Sequence, residues 1–291
     1  MSTWMDRLGR VGVWTSDLRN EDHAGAAAMA AELTGLGYKT IWTPGGAGGD
    51  VMGDVERALD AAPDAVIATG ILNIWRHEPA DVGRWWRGLG EARQARVMLG
   101  LGISHSLLIG DAYAKPVATM SAYLDKLDAE GVQKERRCLA ALAPKMLQLA
   151  ATRTAGSHPY LTTPEHTAQA RAAMGPGALL APEQGVILET DPAKAREKGA
   201  ASLALYMRLP NYVNNWRRLG FSEEDVTKPS DALVDAVFAW GTPEKIKERI
   251  DAHIAAGADH VCIQVISGER LPGGDLAGLR AACRELAPVL L

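Results

Sequence analysis

The sequence predicts a single α/β domain, a (β/α)8 TIM barrel occupying residues 1–291. Short apolar runs alternate with longer amphipathic segments from end to end, and about eight such units fit the length. No linker, low-complexity tract or fixed-period repeat interrupts them. Near-continuous apolar strands between helices mean a parallel sheet covered on both faces, and this number of units favours a closed barrel over an open sheet.

The elements follow in order. Val11 to Thr15 reads as a strand, and His23 to Leu36 as a helix stopped by Gly35 and Gly37. Thr40 to Thr43 is the second strand, closed by Pro44 and a glycine cluster. Asp54 to Ala61 is a short helix and Ala65 to Ile74 an apolar strand. Pro79 to Ala92 is helical, with Pro79 in the first turn, where its missing N–H costs nothing. Strand Val97 to Ile103, helix Pro116 to Glu130 and strand Cys138 to Ala143 continue the pattern, and a helix opens at Pro144. Leu179 to Leu188 is another strand, followed by helix Pro192 to Tyr206. Thr242 caps a helix that begins at Pro243 and stops at Gly257, and His260 to Ile266 is the last strand. The stretches Gly156 to Gly175 and Pro210 to Asp231 read as pocket-shaping loops of no decipherable pattern.

Composition excludes several classes. With 47% hydrophobic and 23% charged residues the chain can bury a large core, and a net charge of −4 with mixed signs argues against a nucleic-acid binder. Cys138, Cys262 and Cys283 lie far apart without metal spacing and read as buried thiols. The first ten residues carry no secretory signal, and no apolar run approaches the roughly 20 residues that span a bilayer, so a cytoplasmic protein is expected.

In such a barrel chemistry sits at the C-terminal ends of the strands. Those positions hold Trp14, Trp42 to Gly49, Gly70 to His77, Gly102 to Leu108, Leu142 to Met146, Pro182 to Gly185 and Gln264 to Ser267. They show no metal-binding spacing, no paired carboxylates and no GxGxxG or phosphate loop. Glycines, apolar residues and tryptophans with few titratable groups suit a large planar heterocycle that brings its own chemistry. Where strand gives way to helix at Ala140-Ala-Leu-Ala-Pro-Lys-Met146, the free N–H groups of Lys145 and Met146 would form an anion site, with Lys145 adding charge.

At these residues the chain resembles the luciferase-like flavin and deazaflavin oxidoreductases. Gly241-Thr-Pro-Glu-Lys-Ile-Lys-Glu-Arg249 and Ala256-Gly-Ala-Asp-His-Val261 carry the likeness to the superfamily. Leu99-Gly-Leu-Gly-Ile-Ser-His105, Ala141-Leu-Ala-Pro-Lys-Met146, His158-Pro-Tyr-Leu-Thr-Thr-Pro-Glu-His166 and Leu209-Pro-Asn-Tyr-Val-Asn-Asn-Trp216 resemble an actinobacterial subgroup regarded as dependent on coenzyme F420. The resemblance implies hydride transfer between that deazaflavin and a small organic substrate. The alternatives are an FMN-dependent monooxygenase and a non-catalytic flavin-binding barrel. It also implies a non-prolyl cis peptide at Gly70-Ile71 against the cofactor ring, a polar contact from Asn73, and further contacts from Ile103 and Ser104. Leu142, Ala143, Lys145 and Met146 match the phosphate turn, and His105 falls where a relative places a catalytic acid. Trp14, Trp42 and His77 are expected to face the substrate. No metal is expected, and barrels of this group tend to pair as homodimers. Many relatives carry an acid and a histidine after strand two, where this chain reads Pro44-Gly45-Gly46-Ala47-Gly48-Gly49; that departure leaves the proton donor unassigned.

Overall fold

The structure is a computed structural model that describes residues 4–45, 49–267 and 276–291. Ten parallel strands form one sheet: β1 (Val11–Trp14), β2 (Thr40–Gly45), β3 (Val66–Asn73), β4 (Val97–Gly102), β5 (Arg137–Leu139), β6 (Gly156–Ser157), β7 (Leu179–Leu180), β8 (Glu183–Ile187), β9 (Phe238–Trp240) and β10 (Val261–Val265). The hydrogen-bonded order is β7-β6-β5-β4-β3-β2-β1-β10-β8-β9. Because β7 and β8 are separated only by Ala181 and Pro182, the two ends of this series are one piece of chain. Ala181 N–H donates to the Ser157 carbonyl on one side, and Cys262 N–H donates to the Pro182 carbonyl on the other. The run from Leu179 to Ile187 therefore closes the ring, and β9 pairs beside its last residues.

Side chains alternate across this sheet as strand geometry requires. Ile41, Ile67, Leu99, Leu139 and Ile263 pack outward under the helices. Trp42, Ala68, Met98, Cys138, Ala181 and Cys262 fill the interior. The interior also holds buried polar groups, which must find partners. Trp42 stacks on His158 at 4.1 Å and donates its indole N–H to His260 Nε2, while His260 Nδ1–H donates to the Gly9 carbonyl. Burial pulls both imidazoles down to about 4, so each is neutral.

The expected helices form close to their expected bounds, among them Pro79–Gln94, Pro116–Ala129 and Pro243–Ala255 capped by the Thr242 side chain. Strand β5 stops at Leu139, short of the expected Ala143, because the chain then leaves the sheet as the approach to the next helix. Neither stretch read as a patternless loop is one. The first contains β6 and helix Pro164–Met174, and the second contains helices Pro210–Arg218 and Glu223–Thr227. All three cysteines are buried and free.

Candidate functional site

The C-terminal ends of β3 and β4 are shaped by one irregularity. The register between them slips from Ala68 to Leu72, and the peptide bond Gly70-Ile71 in that slip is cis, as the resemblance implies. Trp14 donates its indole N–H to the Gly70 carbonyl at 3.2 Å. The bulge presses on β4, which explains its alternating glycines. A Cβ on Gly100 would lie 1.8 Å from the Thr69 carbonyl oxygen, and one on Gly102 would lie 2.3 Å from Ile71 Cδ1. Only glycine permits so close an approach.

Above the bulge a cavity of about 620 Å³ opens at the barrel mouth, within the usual range of small-molecule sites. Ile71, Ile103, Ser104, His105, Leu142, Ala143, Lys145 and Met146, all named from sequence, line it. So do Tyr113, Tyr160, Asn211, Tyr212 and Arg218, which sequence reasoning missed. Three of these last belong to helix Pro210–Arg218, which the chain folds back over the mouth. Among the described residues no carboxylate lines the cavity, and its cations are Lys145 and Arg218.

Each wall has a physical basis. Ser104 adopts a left-handed φ of 62°, and its carbonyl and the Tyr113 hydroxyl receive the Asn211 amide at 3.5 and 3.2 Å. His105 follows, with its ring 5.4 Å from that of Tyr212 and its Nδ1 buried without a partner. Desolvation lowers its pKa below 6.5, so the imidazole is uncharged at neutral pH. At the opposite side helix Pro144–Arg153 starts without a side-chain cap. The Met146 N–H is not free, as the sequence suggested, but closes a tight turn on the Ala143 carbonyl at 3.0 Å. That leaves the Lys145 amide as the open donor of this helix start. His166 Nε2 steadies the turn by bonding the Leu142 carbonyl at 3.0 Å.

Several other expected contacts lie elsewhere. Trp42 is wholly buried in the barrel interior, stacked on His158, and so cannot touch a substrate at the mouth. Asn73 is buried and turns its Oδ1 onto the Trp75 amide, closing the loop after β3 instead of pointing into the cavity. His77 bonds back to the Asn73 carbonyl and is outside the lining. Gly70 and Trp14 sit behind Ile71 as its support. Of the glycine-rich loop, Gly46, Ala47 and Gly48 lie outside the described residues.

A buried acid also escaped the sequence reading. Glu183 is 1% exposed beneath the mouth; its Oε2 accepts the Leu161 N–H at 3.0 Å, while its Oε1 has no partner. Desolvation raises its pKa to about 8. It falls in the strand-end stretch Pro182 to Gly185, beside Gln184, but nothing in the residue pattern marks it as buried.

No protein-family profile matches the chain, and no curated protein matches it significantly. Solved structures do. A coenzyme F420-dependent tetrahydromethanopterin reductase from Methanopyrus kandleri aligns at 14% identity, over 97% of this chain and 99% of the other, with a TM-score of 0.73. An F420-dependent secondary alcohol dehydrogenase in complex with an F420–acetone adduct aligns at 14% identity over the same shares, with a TM-score of 0.71. The oxygenating constituent of 3,6-diketocamphane monooxygenase from Pseudomonas putida, in complex with FMN, aligns at 13% identity over 97% and 99%, with a TM-score of 0.64. The fold is the parallel (β/α)8 barrel that these structures share.

Identities this low carry the architecture and nothing finer. The cavity offers an apolar slot bounded by Ile71, Ile103 and Met146, an open amide and two cations at one end, and an unpartnered imidazole at the other. That donor set fits a planar ring bearing a phosphate.

Proposed function

We propose that this protein is an oxidoreductase that holds coenzyme F420 at the barrel mouth and exchanges a hydride with a small uncharged organic substrate. The observation that carries the reading is the cavity itself, with an apolar body, one cationic end and no carboxylate among its described lining residues. Ile71 would back the ring, Ile103 and Ser104 its edge, and Leu142 to Met146 the phosphate. Lys145 and Arg218 stand where an acidic tail would leave the site. Among the described residues the guanidinium of Arg218 bonds Asn215 Oδ1 alone, at 3.0 Å, whereas its neighbour Arg217 is paired with Glu223. An unpaired guanidinium at a cavity rim suits the carboxylates of the F420 tail, which FMN lacks.

The bound deazaflavin supplies the redox step, and the chain supplies position, a dry wall and proton handling. His105, neutral and without a partner at Nδ1, is placed to accept a proton or a hydrogen bond from substrate. The named cofactors of two aligned structures support the deazaflavin reading, while a third binds FMN. Fluorescence titration of the apoprotein separates the two. Saturable F420 binding at micromolar concentration or tighter, with FMN weaker by tenfold or more, is the expected result. Micromolar FMN binding without F420 binding would replace this reading with a flavin monooxygenase.

A further inference from the structure

We propose that Tyr160 is the proton donor of this reaction, resupplied by Tyr206, and that the pair takes the place of the acid missing after β2. The inference rests on the hydride-transfer reading above.

Tyr160 lines the cavity, and its ring lies 5.6 Å from that of Trp14, the residue bonded to Gly70 behind the bulge. It therefore stands beside the bulge that would back the ring. Its hydroxyl donates to Gln264 Oε1 at 2.7 Å and lies 3.2 Å from the Tyr206 hydroxyl. With the Tyr160 proton on Gln264, Tyr206 is the donor in the second contact. The two hydroxyls thus form a directed pair running from half-buried Tyr206 to the cavity wall.

The groups facing Tyr160 suit the task. Burial, and after it Tyr206, Glu183 and Tyr212, hold the Tyr160 pKa well above the ordinary phenol value, so the hydroxyl meets the substrate with its proton in place. Glu183 comes from β8, Tyr206 from the segment before helix Pro210–Arg218, Tyr212 from that helix, and Trp14 and Gln264 from β1 and β10. None is cationic. The carboxyl of Glu183 stays protonated below about pH 8, so no fixed anion opposes a transient phenolate. His105 is uncharged at neutral pH and has no surplus proton to act as the acid.

In the reductive direction the carbonyl carbon would receive the hydride that a reduced deazaflavin supplies when bound, and the C–O π pair would move onto oxygen. Tyr160 turns its O–H from Gln264 Oε1 to the substrate oxygen, breaks that O–H bond and passes the proton across, leaving its own pair on the phenolate. Tyr206 then protonates Tyr160, and water protonates Tyr206. The carbonyl becomes an alcohol, the deazaflavin is oxidised, and one proton is drawn from solvent. The transfer runs downhill because an alkoxide is a stronger base than a phenolate, even a buried one.

The test compares Tyr160→Phe and Tyr206→Phe with the parent protein, each first shown to melt at the parent temperature. Three quantities are read: F420 affinity by fluorescence, single-turnover reduction of a panel of uncharged ketones, imines and enones by reduced F420, and the infrared carbonyl stretch of cyclohexanone bound beside oxidised F420. We expect Tyr160→Phe to bind F420 within about twofold of the parent, slow hydride transfer by about a hundredfold or more, and lose the carbonyl red shift. Tyr206→Phe should keep the shift and slow turnover by roughly tenfold, as the loss of a resupplying group. If Tyr160→Phe reduces the panel within threefold of the parent, or keeps the red shift, the assignment falls while the oxidoreductase reading stands. If the parent binds F420 but reduces none of the panel, both fall together.

Discussion

At the scale of single residues, the site works by denying side chains their ordinary charge. His105 is neutral because burial strips the water that would stabilise an imidazolium. His105→Ala should cut turnover by about tenfold to a hundredfold, with F420 affinity little changed, because the ring faces substrate and not the phosphate end. Stopped-flow rates beside a binding titration check this, and an unaltered rate would remove His105 from the chemistry. Much of this level was legible in the sequence. The strand-end rule reached Ile71, Ile103, Ser104, His105 and Lys145 because strand ends in a barrel converge wherever the strands lie in the chain. It misplaced Trp42 because inward-facing side chains form layers along the barrel, and Trp42 falls in a layer below the mouth, stacked on His158. Tyr212 and Arg218 were not legible, since no periodicity announces that a later segment folds back over the mouth, and Tyr160 was not because the two-residue strand before it leaves no period to read.

At the scale of elements, the bulge in β3 and the glycines of β4 form one device. The slip carries the Thr69 carbonyl and Ile71 into space that a β4 side chain would fill. Gly100→Ala should therefore destabilise the protein by about 3 kcal/mol or more, since its Cβ would meet a backbone oxygen that cannot swing aside. Thermal melting should show a drop of several degrees. A Gly100→Ala protein that melts at the parent temperature would show that the bulge is looser than the contact distances state. The Leu-Gly-Leu-Gly pattern was visible in the sequence, but its cause was not, because the clash lies with a neighbouring strand. Some helix starts were legible to the residue, Thr242 through its capping side chain and Pro144 through proline's fit to the first turn, whereas the helix expected from Asp54 starts at Val51.

At the scale of the molecule, buried imidazoles and one buried carboxyl make stability depend on pH in two opposed ways. His158 and His260 are held at about 4 and His253 at about 3, all below the ordinary 6.5. As pH falls from 6.5 toward 4 the unfolded chain takes up protons that the folded one refuses, so stability is lost across that window, by about 1.4 kcal/mol per pH unit for each group. Glu183 works the other way. Its pKa is raised from 4.5 to about 8, so the folded state keeps a proton that the unfolded chain releases, and stability falls as pH rises between those values. Melting temperatures measured across pH should therefore drop on the acid side for the parent and Glu183→Gln alike. The alkaline decline should be weaker in Glu183→Gln, which carries no titrating carboxyl at that position. Parallel curves for the two proteins above pH 6.5 would mean that Glu183 is ionised in the fold.

The alternation of apolar runs with amphipathic segments settled the barrel before any coordinates, because a strand buried on both faces and a helix covering it each leave their own period in the chain. Local rules placed several helix starts, Pro144 among them, for the same reason. Closure of the ring through Leu179 to Ile187, the pressure of Ile71 on Gly102, and the meeting of Tyr160 with Tyr206 and Gln264 were decided only by tertiary packing. These contacts join residues up to 104 positions apart, and nothing in either local segment encodes its partner.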